Sequence, residues 1–177
     1  MDHIRLLRSA NQTVSNCCVL VFTETWLNDN IPDSAVQLEQ LTCYRADRAL
    51  VNGDCSPLAE FMIIKCRPFY LPREFTALLL VAVYIPPTSI LSERNAALCE
   101  LYQAISEQQT AHPEGFTIVA GDFNHADLKT VLPKLHQHVN FPTREENILD
   151  LVYTPHKGAY KASPSPTSDY LTTSLLC

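Results

Sequence analysis

Glycine is scarce in this chain, with four residues (53, 115, 121 and 158) among 177. No G-x-G-x-x-G or G-x-x-x-x-G-K-[ST] pattern can be built from them, which excludes the usual dinucleotide and P-loop phosphate cradles. There is no G-x-S-x-G elbow either, so nucleophilic-serine chemistry has no anchor. Charge is also thin: charged residues are 18% and the formal balance is −6. That excludes a domain that coats nucleic acid through a basic surface, but not a nuclease, whose carboxylate site is acidic until a cation binds. The seven cysteines (17, 18, 43, 55, 66, 99 and 177) include no C-x-x-C pair. Neither a disulfide framework nor a zinc ribbon is indicated, and reduced thiols packed as small apolar groups are expected.

Long apolar runs are missing as well. The opening "MDHIRLLRSANQTVSN" has no h-region, and the strongest run, "ALLLVAVYI", falls far short of the ~20 residues that span a bilayer. The expectation is an intracellular protein, nuclear or cytoplasmic, neither secreted nor membrane-bound, and monomeric. At 46% hydrophobic, the chain suits one domain over residues 1–177 with a full core.

What is present is a series of short apolar strands alternating with helical patterns. A short helical pattern around Ile4, Leu6 and Leu7 precedes "CCVLVFT", which reads as a buried strand. The segments Leu58–Cys66 and Ala77–Ile85 read as strands whose connection is short enough for an antiparallel pair. "SERNAALCELYQAISEQQ" is the clearest helix, with Ser92 as cap and Leu98, Leu101, Tyr102 and Ile105 on one face. "FTIVA" is a further strand, a short helix is expected from Asp127 to Leu132, and "NILDLVYT" is a late strand. A Pro/Ser loop then leads toward a last one. Strands mixed with a few helices give a one-domain α/β sandwich.

The polar residues at the ends of these strands are the notable feature. Glu24 follows "CCVLVFT", Tyr84 ends "LLLVAVY", Asp122 and Asn124 follow "FTIVAG", Asp150 lies in "NILDLVY", and Asp169 follows the Pro/Ser loop. Strand ends gather at one rim of a sheet, so carboxylates there can converge on one cation. Oxygen donors suit Mg²⁺, with Mn²⁺ as a substitute, and such an ion polarises a phosphoryl oxygen. Asp122 is placed to take a proton from an attacking water, Asn124 to orient that water or a phosphate oxygen, and Tyr84 to donate its phenol to a phosphate. Asp150 within an apolar strand requires a partner. His136 and His138, close to Pro133, read as surface residues, and His125 beside Asn124 as a loop residue.

With these residues in hand, "FTETWL", "VAVYIPP", "IVAGDFN" and "NILDLVYT" resemble the endonuclease/exonuclease/phosphatase family. They are most similar to the endonuclease domain of LINE-type non-LTR retrotransposons, and the likeness covers essentially the whole chain. The resemblance implies a DNase I-like four-layer α/β sandwich, with two packed mixed β-sheets flanked by helices. It also implies Mg²⁺-dependent cleavage of a phosphodiester, with DNA as the substrate. Matched residue by residue, it makes Glu24 and Asp169 metal ligands and Tyr84 a phosphate contact. Asp122 and Asn124 become the pair that positions the nucleophile, and Asp150 the support of a catalytic histidine.

The chain departs from the family pattern in four ways. Ser-Asp-His is replaced by Ser168-Asp169-Tyr170. The early strand with its active-site asparagine is not found, since Asn11 and Asn16 sit in another context. A hairpin near residues 50–55 is shortened, and the chain stops shortly after Asp169. The expectation is a copy truncated at both ends, with strands missing and activity impaired. A phenol with a reference pKa near ~10 cannot replace imidazole at neutral pH. Two other readings remain open: a non-catalytic remnant that binds DNA or protein, and a same-fold phosphatase acting on a lipid or inositol phosphate.

Overall fold

The computed structural model describes residues 2–23, 25, 27–46, 58–67, 71–87, 90–158, 160–164 and 173–176. In chain order the elements are helices α1 (Asp2–Ala10) and α2 (Gln12–Ser15), strand β1 (Val19–Phe22) and helix α3 (Asp33–Val36). Strands β2 (Glu60–Cys66) and β3 (Ala77–Tyr84) follow, then the long helix α4 (Leu91–Ala111) and β4 (Gly115–Asp122). A 3₁₀ turn (Leu128–Thr130), β5 (His136–Gln137), β6 (Asp150–Thr154) and β7 (Thr173–Leu176) complete the described chain.

Five strands form a mixed sheet in the order β2-β3-β4-β6-β5, and β1 pairs with β7 in a separate two-stranded sheet. The expected antiparallel pair of β2 and β3 forms, with Ile63 opposite Val81. β3 and β4 are parallel, joined by the α4 crossover, and β6 returns antiparallel to β4.

Alternation along β3 decides which face packs where. Leu79, Val81, Val83 and Ile85 are buried, and the last three share one core with Ala97, Leu98, Leu101 and Ile105 of α4. Each fully buried leucine or isoleucine of this kind contributes roughly 1.5–3 kcal/mol relative to exposure. Gln109 Nε2 also donates to the buried Thr117 hydroxyl at 3.1 Å, tying the last turns of α4 to β4. On the other face Ala120 and Val152 pack with Val139, and Val21 of β1 joins them. Helix, five-stranded sheet and two-stranded sheet therefore stack in that order, and the chain is a mixed α/β fold.

Some local expectations do not hold. α4 starts at Leu91, and its N-cap is Ile90 with no side-chain bond, so Ser92 lies inside the helix rather than capping it. Tyr102 is exposed, and Ala97 takes the place expected for it in the buried stripe. Leu6 of α1 likewise points outward while Ile4 is buried. Cys17 is disulfide-bonded, which corrects the expectation of reduced thiols throughout, whereas Cys18, Cys43, Cys66 and Cys99 are free. His136 and His138 are half-buried rather than on the surface: His136 pairs opposite Thr154, and His138 Nε2 lies 2.8 Å from the Thr154 hydroxyl. The segment near residues 50–55, read as shortened, lies outside the described residues.

Candidate active site

Three of the expected site residues fall on one line. The register of β3 with β4 sets Tyr84 beside Asp122, and that of β4 with β6 sets Asp122 opposite Asp150. Directly opposed residues on neighbouring strands share a face of the sheet, with Cβ atoms ~4.5–5.5 Å apart in the antiparallel pair. Tyr84, Asp122 and Asp150 thus form a row across β3, β4 and β6, on the face that carries Ala120 and Val152. Asp122 is 0% exposed and Asp150 8%.

Backbone geometry at the end of β4 brings Asn124 to the same place. Gly121 has φ +153°, and a Cβ there would lie 1.8 Å from the Val83 carbonyl oxygen. Only glycine lets β4 approach β3 this closely one residue before Asp122. The chain then leaves the strand through two left-handed residues, Asn124 (φ 41°) and His125 (φ 70°), residue types that tolerate this region. The turn is held by the Asn124 backbone N–H, which donates to Asp122 Oδ1 at 3.0 Å. Asn124 Nδ2 donates to the Ile85 carbonyl at 2.9 Å, so the buried amide also fixes the end of β3 beside Tyr84.

Beneath this turn, Tyr153 of β6 is buried with its ring 5.3 Å from that of Phe123. Its hydroxyl accepts from the Leu128 backbone N–H (3.3 Å) and donates to Asp127 Oδ1 (3.2 Å). Burial, and then the Asp127 charge, push the Tyr153 phenol well above its ordinary range. It is a fixed hydrogen-bonding post and stays protonated. Asp127 also caps the 3₁₀ turn by accepting from the Lys129 N–H.

Two residues that sequence reasoning passed over complete the surroundings. The Thr143 hydroxyl accepts from the backbone N–H groups of Leu149 and Asp150, both at 3.0 Å, and so fixes the start of β6. Arg144 Nη2 lies 3.3 Å from Asp122 Oδ2. The available signal was "PTREEN", a polar turn just ahead of a strand that begins on a buried aspartate.

The row offers carboxylate and phenol oxygens, and Asn124 at its end an amide oxygen, a donor chemistry that suits a hard, oxygen-seeking cation such as Mg²⁺. Among the described residues no group of three or more His, Cys, Asp and Glu side chains is arranged to hold a metal. Glu24 and Asp169, the expected ligands, lie outside the described residues, as does Tyr170. His125 is exposed.

No family model, curated protein or solved structure matches the chain. Among the described residues no helix is long and apolar enough to cross a membrane.

Proposed function

We propose that this chain is a Mg²⁺-dependent phosphodiesterase domain of the endonuclease/exonuclease/phosphatase type, of retrotransposon origin, with DNA as its substrate and with impaired turnover. The observation that carries the reading is the row of Tyr84, Asp122 and Asp150 on three adjacent strands, with Asn124 fixed at its end. Four residues drawn from three separate segments of sequence meet at one rim, where strand-end chemistry is expected in α/β sheets. The helix–sheet–sheet stack is compatible with three layers of a four-layer DNase I-like sandwich.

In this reading Asp122 accepts the proton of the attacking water, and Asn124 holds that water or a phosphate oxygen in line. Tyr84 donates to a non-bridging oxygen, and Asp150 stands where the family's aspartate supports the catalytic histidine. Glu24 and Asp169 would hold Mg²⁺, which would supply polarisation of the phosphoryl oxygen. Tyr170 occupies the sequence position of the family's histidine. Loss of a positioned acid/base group costs on the order of 10²–10⁴ in rate.

Plasmid nicking tests this. With Mg²⁺, the unaltered protein is expected to relax supercoiled DNA slowly, Tyr170→His to raise the rate, and Asp122→Ala to abolish it in either background. Robust nicking by the unaltered chain would overturn the impairment. No gain from Tyr170→His, with Asp122→Ala indistinguishable from the parent, would overturn the enzyme. Turnover of inositol phosphates without nicking would keep the site and change the substrate.

One observation favours the reading of a non-catalytic remnant. The Arg144 guanidinium sits on the carboxylate that should act as base. The contact occupies a carboxylate oxygen that a base would turn toward water. Salt-dependent DNA binding without nicking in either background is the outcome that reading expects.

A further inference from the structure

We infer that Arg144 is an anion-binding arm of this site, whose guanidinium takes a phosphate oxyanion beside Asp122. The inference rests on the phosphodiesterase reading for its biological meaning, but the anion contact itself can be tested separately.

Three observations lead to it. First, the base of the arm is fixed. Thr143 and Arg144 N–H groups donate to the Asn147 carbonyl at 2.8 and 3.1 Å, and the Asn147 N–H returns to the Arg144 carbonyl at 2.9 Å. The Arg144 backbone is therefore closed into a tight turn, with Glu145 left-handed at its tip (φ 54°). The Thr143 hydroxyl bonds anchor that turn to the start of β6.

Second, the charged end bridges the buried site and solvent. The Arg144 side chain is 45% exposed, whereas its partner Asp122 is fully buried. A group arriving from solvent at the row of Tyr84, Asp122 and Asp150 meets this guanidinium at the edge of the carboxylates.

Third, the contact with Asp122 is loose. At 3.3 Å it is longer than the ~2.7–2.9 Å of a well-formed charge-assisted bond. A guanidinium presents a planar fork that matches two oxygens of one phosphate. A tetrahedral dianion or diester at the rim offers that geometry to an arm fixed at its base. The row would otherwise repel a phosphate, since Asp122 and Asp150 both bring negative charge. A cation at this edge offsets part of that charge where the substrate enters.

The experiment follows the Arg144 Nε–Hε resonance in ¹⁵N-labelled protein without metal, titrated with inorganic phosphate and, separately, with the dinucleotide TpT. Sodium chloride at matched ionic strength is the control, and Arg144→Lys assigns the signal. The resonance is expected to shift saturably with both phosphates and not with chloride. Arg144→Lys keeps the charge but loses the fork, so it is expected to weaken phosphate binding about tenfold while melting like the parent. Arg144→Ala is expected to weaken it further.

An Arg144 shift that chloride reproduces, or equal phosphate affinity in the parent and both variants, overturns the inference. If phosphate moves Arg144 while no variant restored at position 170 nicks plasmid, the nuclease reading falls and the anion contact stands. If nicking is found and Arg144 does not discriminate phosphate from chloride, the anion contact alone falls.

Discussion

Replacing Gly121 by alanine is expected to be among the most damaging single-methyl changes in the described chain. The new Cβ would sit 1.8 Å from the Val83 carbonyl oxygen, 2.7 Å from its carbon and 2.9 Å from its nitrogen. All three are backbone atoms of a paired neighbouring strand, so no side-chain rotation relieves the clash. β3 and β4 must part, or the chain must leave φ +153°, a conformation that costs a non-glycine residue ~1–3 kcal/mol. Overpacking adds ~1–3 kcal/mol. A mid-range loss of about 4 kcal/mol is a large share of the ~5–15 kcal/mol that stabilises a typical domain.

Urea unfolding followed by circular dichroism measures this. With a slope near ~2 kcal/mol/M, the midpoint should fall by about 2 M. Gly158→Ala is the matched control: its φ is +72°, but nothing lies within 4 Å of the added Cβ. It should lose only the left-handed penalty of ~1–2 kcal/mol. Equal losses at positions 121 and 158 would refute the close-approach explanation. Gly121→Ala is also expected to disturb Tyr84 and Asp122, because the parted strands are the ones that set them side by side.

Tyr153→Phe should cost about 1–3 kcal/mol, because the Leu128 N–H loses its acceptor in a buried place; faster amide exchange at Leu128 is the local readout. Leu101→Ala should cost ~2–5 kcal/mol in urea unfolding, whereas Leu6→Ala, on an exposed position, should stay within ~0.5 kcal/mol. Acid should weaken the fold at His138, whose pKa is lowered from 6.5 by burial first and by His136 second, against a raising backbone bond at Tyr160. A base with a depressed folded pKa contributes its stability fully above the unfolded value and loses it as pH falls below. Melting temperature should therefore drop between about pH 7 and pH 5, and His138→Gln should flatten that drop.

How much of this was legible in the sequence varies by the range of the interaction concerned. Apolar runs such as "LLLVAVY" and "FTIVA" marked the central strands because their burial is written into consecutive residues. The alignment of Tyr84, Asp122 and Asp150 was legible because each ends or begins such a run, and strand ends gather at one edge. The α4 cap was misjudged because Ser92 is a good capping residue by type, whereas the helix begins at Leu91 and its cap position, Ile90, makes no side-chain cap bond. Tyr102 was misplaced because its spacing from Leu98 fits a helical face whose buried centre includes Ala97. His138 looked like a surface residue because its partner Thr154 is supplied by a strand much later in the chain. Arg144 was invisible for the same reason: "TREEN" reads as a solvated turn until β6 folds back beside β4.

The register of β3, β4 and β6 has a consequence for how such a site would decay. The distances between Tyr84, Asp122 and Asp150 are measured out by the hydrogen-bonded ladder, not by the loops that surround it. A ladder behaves as a ruler with marks ~4.8 Å apart, and it keeps its scale for as long as the strands stay paired. Substitutions at the rim can remove a reacting group without moving the remaining marks. On the phosphodiesterase proposal, the chain can lose turnover and still hold this row, so that one restored side chain has somewhere to act. A one-residue slip of β6 would be different, because it turns Asp150 to the opposite face in a single step.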